Sequence, residues 1–235
     1  MFFTDINTDA SKYCLLNINR YDFAAKYAKE IIFVDPGVYE LTKNDEYSCV
    51  KRLHFLANDN LMDNEYISID YPPDMNVEFS DVFVERSIRN NYKYIDNPQY
   101  ICVIQSNFMD YFDLMARTKE IKEIWSRDDK IVGIGNFCRI IYPNRYTEHA
   151  MGYLAHVLPK GKWIHFYGLS MPLMRRYIPR FERKFKVSVD STKWTRALTK
   201  EIKDQCGISC KLEDRDFFFK TYMERIKKHG LSVDF

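Results

Sequence analysis

Short apolar runs with strand character recur along the chain, and most of the stretches between them carry helical periodicity. The runs are YCLLNIN (13–19), IIFVDP (31–36), YISIDY (66–71), YICVIQS (100–106), IVGIGN (131–136), WIHFYGL (163–169) and VSVDS (187–191). Between two of them, FMDYFDLMARTKEIKEIW carries helical periodicity, on which Phe108, Phe112, Met115, Ile121 and Ile124 are expected to share one face. Strand, helix, strand in alternation requires parallel pairing, because each helix carries the chain back to start the next strand in the same direction. The opening MFFT supplies an eighth strand. The expectation is therefore an α/β chain folded as a compact (β/α)8 barrel of the TIM type, a single domain over 1–235. Helices near 193–204 and 214–229, within the C-terminal segment 193–235, would close it. An open doubly wound sheet is the alternative, but no glycine-rich phosphate turn follows the first strand.

With 235 residues, 46% hydrophobic and 29% charged, the chain has material for one substantial core. No apolar run approaches the roughly 18 residues of a membrane span, and the N-terminal MFFTDINTDA has acidic residues where a secretory signal has basic ones. A cytoplasmic protein with no membrane partner is expected. The six cysteines form no C-x-x-C pair. Cys206, Cys210 and His229 could supply three zinc ligands but lack a fourth, so no cofactor is expected. Charge is unevenly spread: residues 1–120 hold 12 Lys/Arg against 20 Asp/Glu, and the remainder 23 against 13. That asymmetry, densest in RRYIPRFERKFK (175–186), points to a polyanionic partner or to a solvated helix face.

Several runs end in a residue able to do chemistry or to read a base: Asp35, Asp70, Gln105, the Gly135–Asn136 pair and Asp190. In a parallel barrel all C-terminal strand ends open onto one face, where ligands bind. Turn formation alone accounts for Asp35 before Pro36–Gly37 and for Asp70 before Tyr71–Pro72–Pro73. Asp190 differs, because Ser191 or Thr192 can cap the following helix and leave its carboxylate for another task. His165, in the middle of WIHFYG, reads as an interior hydrogen-bonded histidine.

Taken in order, these segments resemble the tRNA-guanine transglycosylase superfamily, above all its small relatives that insert 7-deazaguanines into DNA. FVDPGVYEL is similar to the segment with the general acid/base aspartate, here Asp35. SIDYPPD and VIQS are similar to the purine-binding segments, here Asp70 and Gln105. VGIGNFCR is similar to the glycine loop that offers backbone to the base (Gly133, Gly135, Asn136). HFYGLS, with Gly168, and VSVDSTKW resemble the last two strand ends, the second carrying the nucleophile, Asp190. The chain departs from the family at Pro36 and Val38, where serine and glycine are usual. It also has no closely spaced cysteines for a zinc subdomain, which favours DNA over tRNA as acceptor.

The resemblance implies base exchange through a covalent Asp190–sugar intermediate, with a free 7-deazaguanine base and DNA, or tRNA, as the partners. An unidentified protein partner is compatible with it. Arg139, Arg175, Arg176 and Lys193 are candidates for phosphate contacts, and Tyr39, Tyr71 and Phe108 for stacking on an extruded base, although core packing accounts equally for the aromatics. Two other readings stay open: a retaining glycoside or nucleoside hydrolase, which also uses two carboxylates, and a non-catalytic barrel that binds nucleic acid or a partner subunit.

Overall fold

In the computed structural model, the structure describes residues 1–3, 11–18, 21, 29–36, 46–71, 81–107, 110–135, 137, 140–190, 212–228 and 231. In chain order the elements are β1 (Phe2–Phe3), β2 (Tyr13–Asn17), β3 (Ile31–Asp35), α1 (Glu46–Ala57), β4 (Glu65–Ile67), α2 (Asp81–Lys93) and β5 (Cys102–Ile104), then α3 (Tyr111–Glu120), α4 (Lys122–Trp125), β6 (Val132–Ile134), α5 (Arg145–Val157), β7 (Trp163–Phe166), α6 (Met171–Phe181), β8 (Lys186–Asp190) and α7 (Leu212–Lys228). The eight strand-like segments of the sequence each contain a strand. Two of the helices begin where the sequence provides a side-chain cap: the Asp110 side chain accepts from the Phe112 and Asp113 amides, and Asn144 and Thr147 form a reciprocal box at the start of α5.

All strand pairs are parallel. They form a five-stranded sheet in the order β1-β8-β7-β6-β5 and a three-stranded sheet in the order β2-β3-β4. One isolated parallel bridge, Ile67 to Tyr100, joins the two sheets. It is made by Ile67 N–H donating to Gln99 O at 2.9 Å and Ile101 N–H donating to Ile67 O at 2.8 Å.

Three apolar clusters follow from the period-2 alternation of these strands. One packs β5 to β8 against α2 to α7. A second packs β2 to β4 against α1. The third lies on the opposite strand faces and draws on both sheets: Phe3, Tyr13, Phe33, Ile101, Val103 and Ile131, with Tyr66, Trp163 and Tyr167 packed against them. Strands buried on both faces explain why the segments read as near-continuous apolar runs rather than as clean alternation.

The two ends of the strands differ in charge. At the N-terminal ends, three buried lysines donate to backbone carbonyls: Lys29 to Ser11 at 2.6 Å, Lys130 to Tyr94 at 3.1 Å and also to Asn97, and Lys162 to Arg127. Lys130 and Lys162 thereby satisfy carbonyls beyond the C-termini of α2 and α4, where a cation is electrostatically favoured. Burial pulls the Lys130 ammonium from 10.5 down to about 8. The unfolded chain keeps that proton up to about pH 10.4, so it binds more protons than the folded state between those values. The protein is therefore expected to gain stability relative to Lys130→Met as pH rises from 8 to about 10.5, and to lose that gain as pH falls through 8. Urea denaturation of both proteins at several pH values reads the difference.

The basic stretch 175–186 does not gather at one place. It runs along α6 and through the turn into β8, so Arg175 and Arg176 stand in the half of α6 nearer the end of β7, whereas Lys184 and Lys186 stand at the opposite end, where β8 begins. Lys184 donates to Ala155 O near the end of α5, and Lys186 lies 3.6 Å over the Trp163 ring. Among the described residues, no helix is long and apolar enough to cross a membrane.

Candidate functional site

The C-terminal strand ends carry acids where the N-terminal ends carry lysines. The parallel register sets the levels. Val103, Gly133, His165 and Ser188 stand side by side across β5 to β8. Two residues further on, on the same strand faces, come Gln105, Gly135, Tyr167 and Asp190. On the other sheet Phe33 pairs with Tyr66, so Asp35 and Ser68 follow two positions on, and Asp70 two beyond Ser68.

The Tyr167 phenol ties these levels together. Burial pushes its pKa well above the ordinary value, the Asp70 charge pushes it further, and Asp35 and Asp190 add to the effect, while a hydroxyl from Ser68 works against it. The charges of Asp35, Asp70 and Asp190, which end or follow β3, β4 and β8, thus all act on one phenol. The ring is fixed from below, since a Cβ on Gly133 would lie 2.7 Å from Tyr167 Cε2.

Asp70 and Gln105 form a pair across the junction of the two sheets. Gln105 Nε2 donates to Asp70 Oδ2 at 2.6 Å, and both residues are buried, 4% and 6% exposed. Gly135 makes this possible: a Cβ there would fall 2.2 Å from Gln105 Oε1, so the amide occupies the space a side chain would fill. The missing side chains of Gly133 and Gly135, expected from sequence to admit a base, are thus filled in this structure by Tyr167 and Gln105. Burial raises the Asp70 pKa, against the pull of hydrogen bonds from Ser68, Gln105 and its own backbone and of His165.

Asp190 ends β8 with its Oδ1 accepting from Gly168 N–H at 2.8 Å. Gly168 adopts φ +64°, a left-handed conformation that glycine takes without Cβ strain. His165 Nε2 lies 3.3 Å from the same Oδ1. Oδ2 of Asp190 carries no hydrogen bond from the described residues.

Four buried polar atoms here lack a well-aligned hydrogen-bond partner: Ser68 Oγ, Gln105 Oε1, His165 Nε2 and Tyr167 OH. Buried polar groups are nearly always satisfied, so a cluster of orphans at one end of the strands marks a place built for polar ligand atoms or ordered water. A donor-rich planar edge fits the acceptors of Asp70 and Gln105 Oε1.

The other sequence candidates fall as follows. Arg175 and Arg176 are exposed on α6, and Arg176 is ion-paired with Glu148 of α5. Tyr71 is packed inside the protein, its ring parallel to Phe83 at 6.2 Å with the Arg86 guanidinium 5.7 Å above it. Asn136, Arg139, Lys193, Tyr39, Phe108, Cys206, Cys210 and His229 lie outside the described residues, as does the helix expected near 193–204. No group of three or more potential metal ligands occurs among the described residues. Ser68 and Tyr167 were not singled out from sequence, yet they share the alternating face of Asp70 and His165, and that period was legible. The class the structure defines is an α/β protein with parallel sheets and a polar, acid-rich cluster at the C-terminal strand ends. No family model matches the chain, and no curated protein matches it.

Removing the Asp70 charge separates ligand binding from stability. Its raised pKa means that the ionised carboxylate destabilises the fold, a cost absent below about pH 4, where the unfolded carboxyl is also protonated, growing as pH rises from there to the folded pKa and level above it. Asp70→Asn is expected to be more stable than the parent at pH 7, with the advantage vanishing below about pH 4. Thermal denaturation at pH 4 and 7 checks it.

Proposed function

We propose that the two sheets form one (β/α)8 barrel and that its C-terminal mouth exchanges guanine in nucleic acid, DNA in preference to tRNA, for a 7-deazaguanine. In support of the barrel, strands neighbour one another in chain order within β2 to β4 and β5 to β8, β1 pairs with β8 and its Phe3 stacks on Tyr13 of β2 at 5.5 Å, the Ile67–Tyr100 bridge links β4 to β5, and one interior cluster draws on both sheets. The reading of the site is carried by one observation: at the end of the strands where Gly168 N–H holds Asp190 Oδ1 at 2.8 Å, Gln105 Nε2 holds Asp70 Oδ2 at 2.6 Å.

Base exchange at a sugar carbon needs a group that holds the sugar between the departure of one base and the arrival of the next. Asp190 Oδ2 attacks the anomeric carbon as the C–N bond to guanine breaks, and Asp35 gives the leaving purine its proton. The incoming 7-deazaguanine returns a proton to Asp35, its ring nitrogen attacks the same carbon, and Asp190 leaves as a carboxylate. Asp70 and Gln105 Oε1 accept hydrogen bonds from the N–H groups of the purine edge, which explains an acceptor-rich pair held 2.6 Å apart in a buried place. The base must be turned out of the duplex to reach this depth. Arg175 and Arg176, with Arg139 and Lys193, are the proposed phosphate contacts.

The test is incubation of the protein with guanine-containing DNA or tRNA and radiolabelled guanine or 7-deazaguanine. Incorporation into DNA is the expected result. Base release without incorporation would reassign the site to a hydrolase, and neither release nor incorporation with any acceptor would overturn an enzymatic reading.

A further inference from the structure

Beneath Asp190 runs a chain of polar groups whose hydrogens can be ordered from donor capacity alone. Trp163 Nε1 lies 2.7 Å from Ser188 Oγ. An indole nitrogen can only donate, so the serine oxygen accepts. Ser188 Oγ lies 3.0 Å from His165 Nδ1, and both residues are fully buried. If Nδ1 carried the ring proton, Ser188 would accept twice and its own hydrogen would have no acceptor among the described residues, while the bare lone pair of Nε2 would face a carboxylate oxygen. Both penalties vanish when Ser188 donates to Nδ1 and the proton sits on Nε2.

The surroundings restrict the ring further. Phe3 and Phe33 meet it edge-on at 5.4 and 4.9 Å, and Tyr167 at 4.5 Å. Among the described residues the charged groups acting on it are carboxylates, Asp190 at 3.3 Å and, further off, Asp70. Nε2 is aimed at Asp190 Oδ1 but off the line of a good hydrogen bond, so a small rotation of the carboxylate completes the contact.

We propose that His165 is a positioning residue for Asp190. Trp163 and Ser188 fix it as the Nε2–H tautomer, and that N–H together with Gly168 N–H holds Oδ1, leaving Oδ2 as the oxygen presented to a ligand. The proton order stands on geometry, whereas its catalytic meaning rests on the base-exchange reading. In that reaction Oδ2 forms the ester with the sugar, and Oδ1 becomes the ester carbonyl oxygen. Gly168 N–H, already bonded to Oδ1, and the His165 N–H 3.3 Å from it then meet the charge that develops as the ester breaks and the carboxylate leaves. Ser188 and Trp163 do not touch the sugar; they act through the imidazole.

The test begins with 15N NMR of the histidine side chains in the full chain, with His165 assigned by loss of its signals in His165→Gln. In the neutral ring the proton is expected on Nε2, giving way to a tautomer mixture in Ser188→Ala. An Nδ1–H neutral ring overturns the proposal, whether or not base exchange is found. Two variants then test positioning. Gln at 165 keeps a donor toward Asp190 and should retain exchange within several-fold, whereas His165→Leu should lose about 10²-fold in kcat with little change in KM. Equal loss in both variants overturns the positioning role. If the parent protein exchanges no base, the 13C chemical shift of the Asp190 carboxyl decides instead: it should move in His165→Leu, which removes the N–H 3.3 Å from Oδ1, and stay near the parent value in His165→Gln. No movement in the leucine variant overturns the proposal.

Discussion

Replacing Asp190 by alanine is expected to abolish label incorporation, with a loss of at least about 10³-fold, while nucleic acid and free base still bind. The variant removes the carboxylate proposed to form the ester and leaves Asp70, Gln105 and the surface arginines in position. Asp190→Asn separates chemistry from packing. Its amide oxygen can still accept from Gly168 N–H, which lies 2.8 Å from Oδ1 in the parent, so the local fold should persist, but an amide cannot serve as the nucleophile. Single-turnover incorporation assays on the two variants, run beside equilibrium binding of an oligonucleotide, provide the comparison. Normal incorporation in either variant would show that another group attacks the sugar.

The second large effect is on stability. Phe33 is fully buried and occupies the centre of the cluster that draws on both sheets. Its ring lies 4.2 Å from Phe3, 4.9 Å from His165, 5.6 Å from Trp163 and 5.8 Å from Tyr66. Neighbours held by separate strands cannot collapse into the space that Phe33→Ala would leave, so the loss should be near the upper part of the usual range, about 3–5 kcal/mol. Urea denaturation should register a midpoint lower by about 1–2 M. The same cavity would remove one wall of the His165 ring, so a milder variant, Phe33→Leu, should lose less stability and keep the histidine tautomer.

The strand positions were legible because doubly buried parallel strands leave apolar runs that few other structures produce. VSVDS and IIFVDP correspond closely to Lys186–Asp190 and Ile31–Asp35, and YISIDY and YICVIQS correspond to the shorter strands Glu65–Ile67 and Cys102–Ile104. The pairs shorten because Asp70 and Gln105 lie beyond the ladders, where the side chains bond each other across the sheets. Acids at the strand ends were legible one at a time, and their meeting at Tyr167 was not, since convergence depends on register and closure rather than on local pattern. Gly135 illustrates the difference. Sequence identifies a residue without a side chain, but only the fold says that the space belongs to Gln105. The pattern of WIHFYG places the histidine in the interior with a hydrogen bond, but its partner Ser188 comes from an adjacent strand and is bonded in turn by Trp163, two positions before the histidine, a cross-strand arrangement no single segment contains.

The two sheets meet at β4 and β5 through a pair of backbone hydrogen bonds around Ile67, where neighbouring strands elsewhere share longer ladders. Asp70 and Gln105 stand on opposite sides of this seam, just above it, joined to each other by a single contact. A molecule gripped by both would act as a suture. Deuterium uptake at the Ile67 and Ile101 amides would then slow on occupancy, making the junction itself a reporter of whatever fills the mouth.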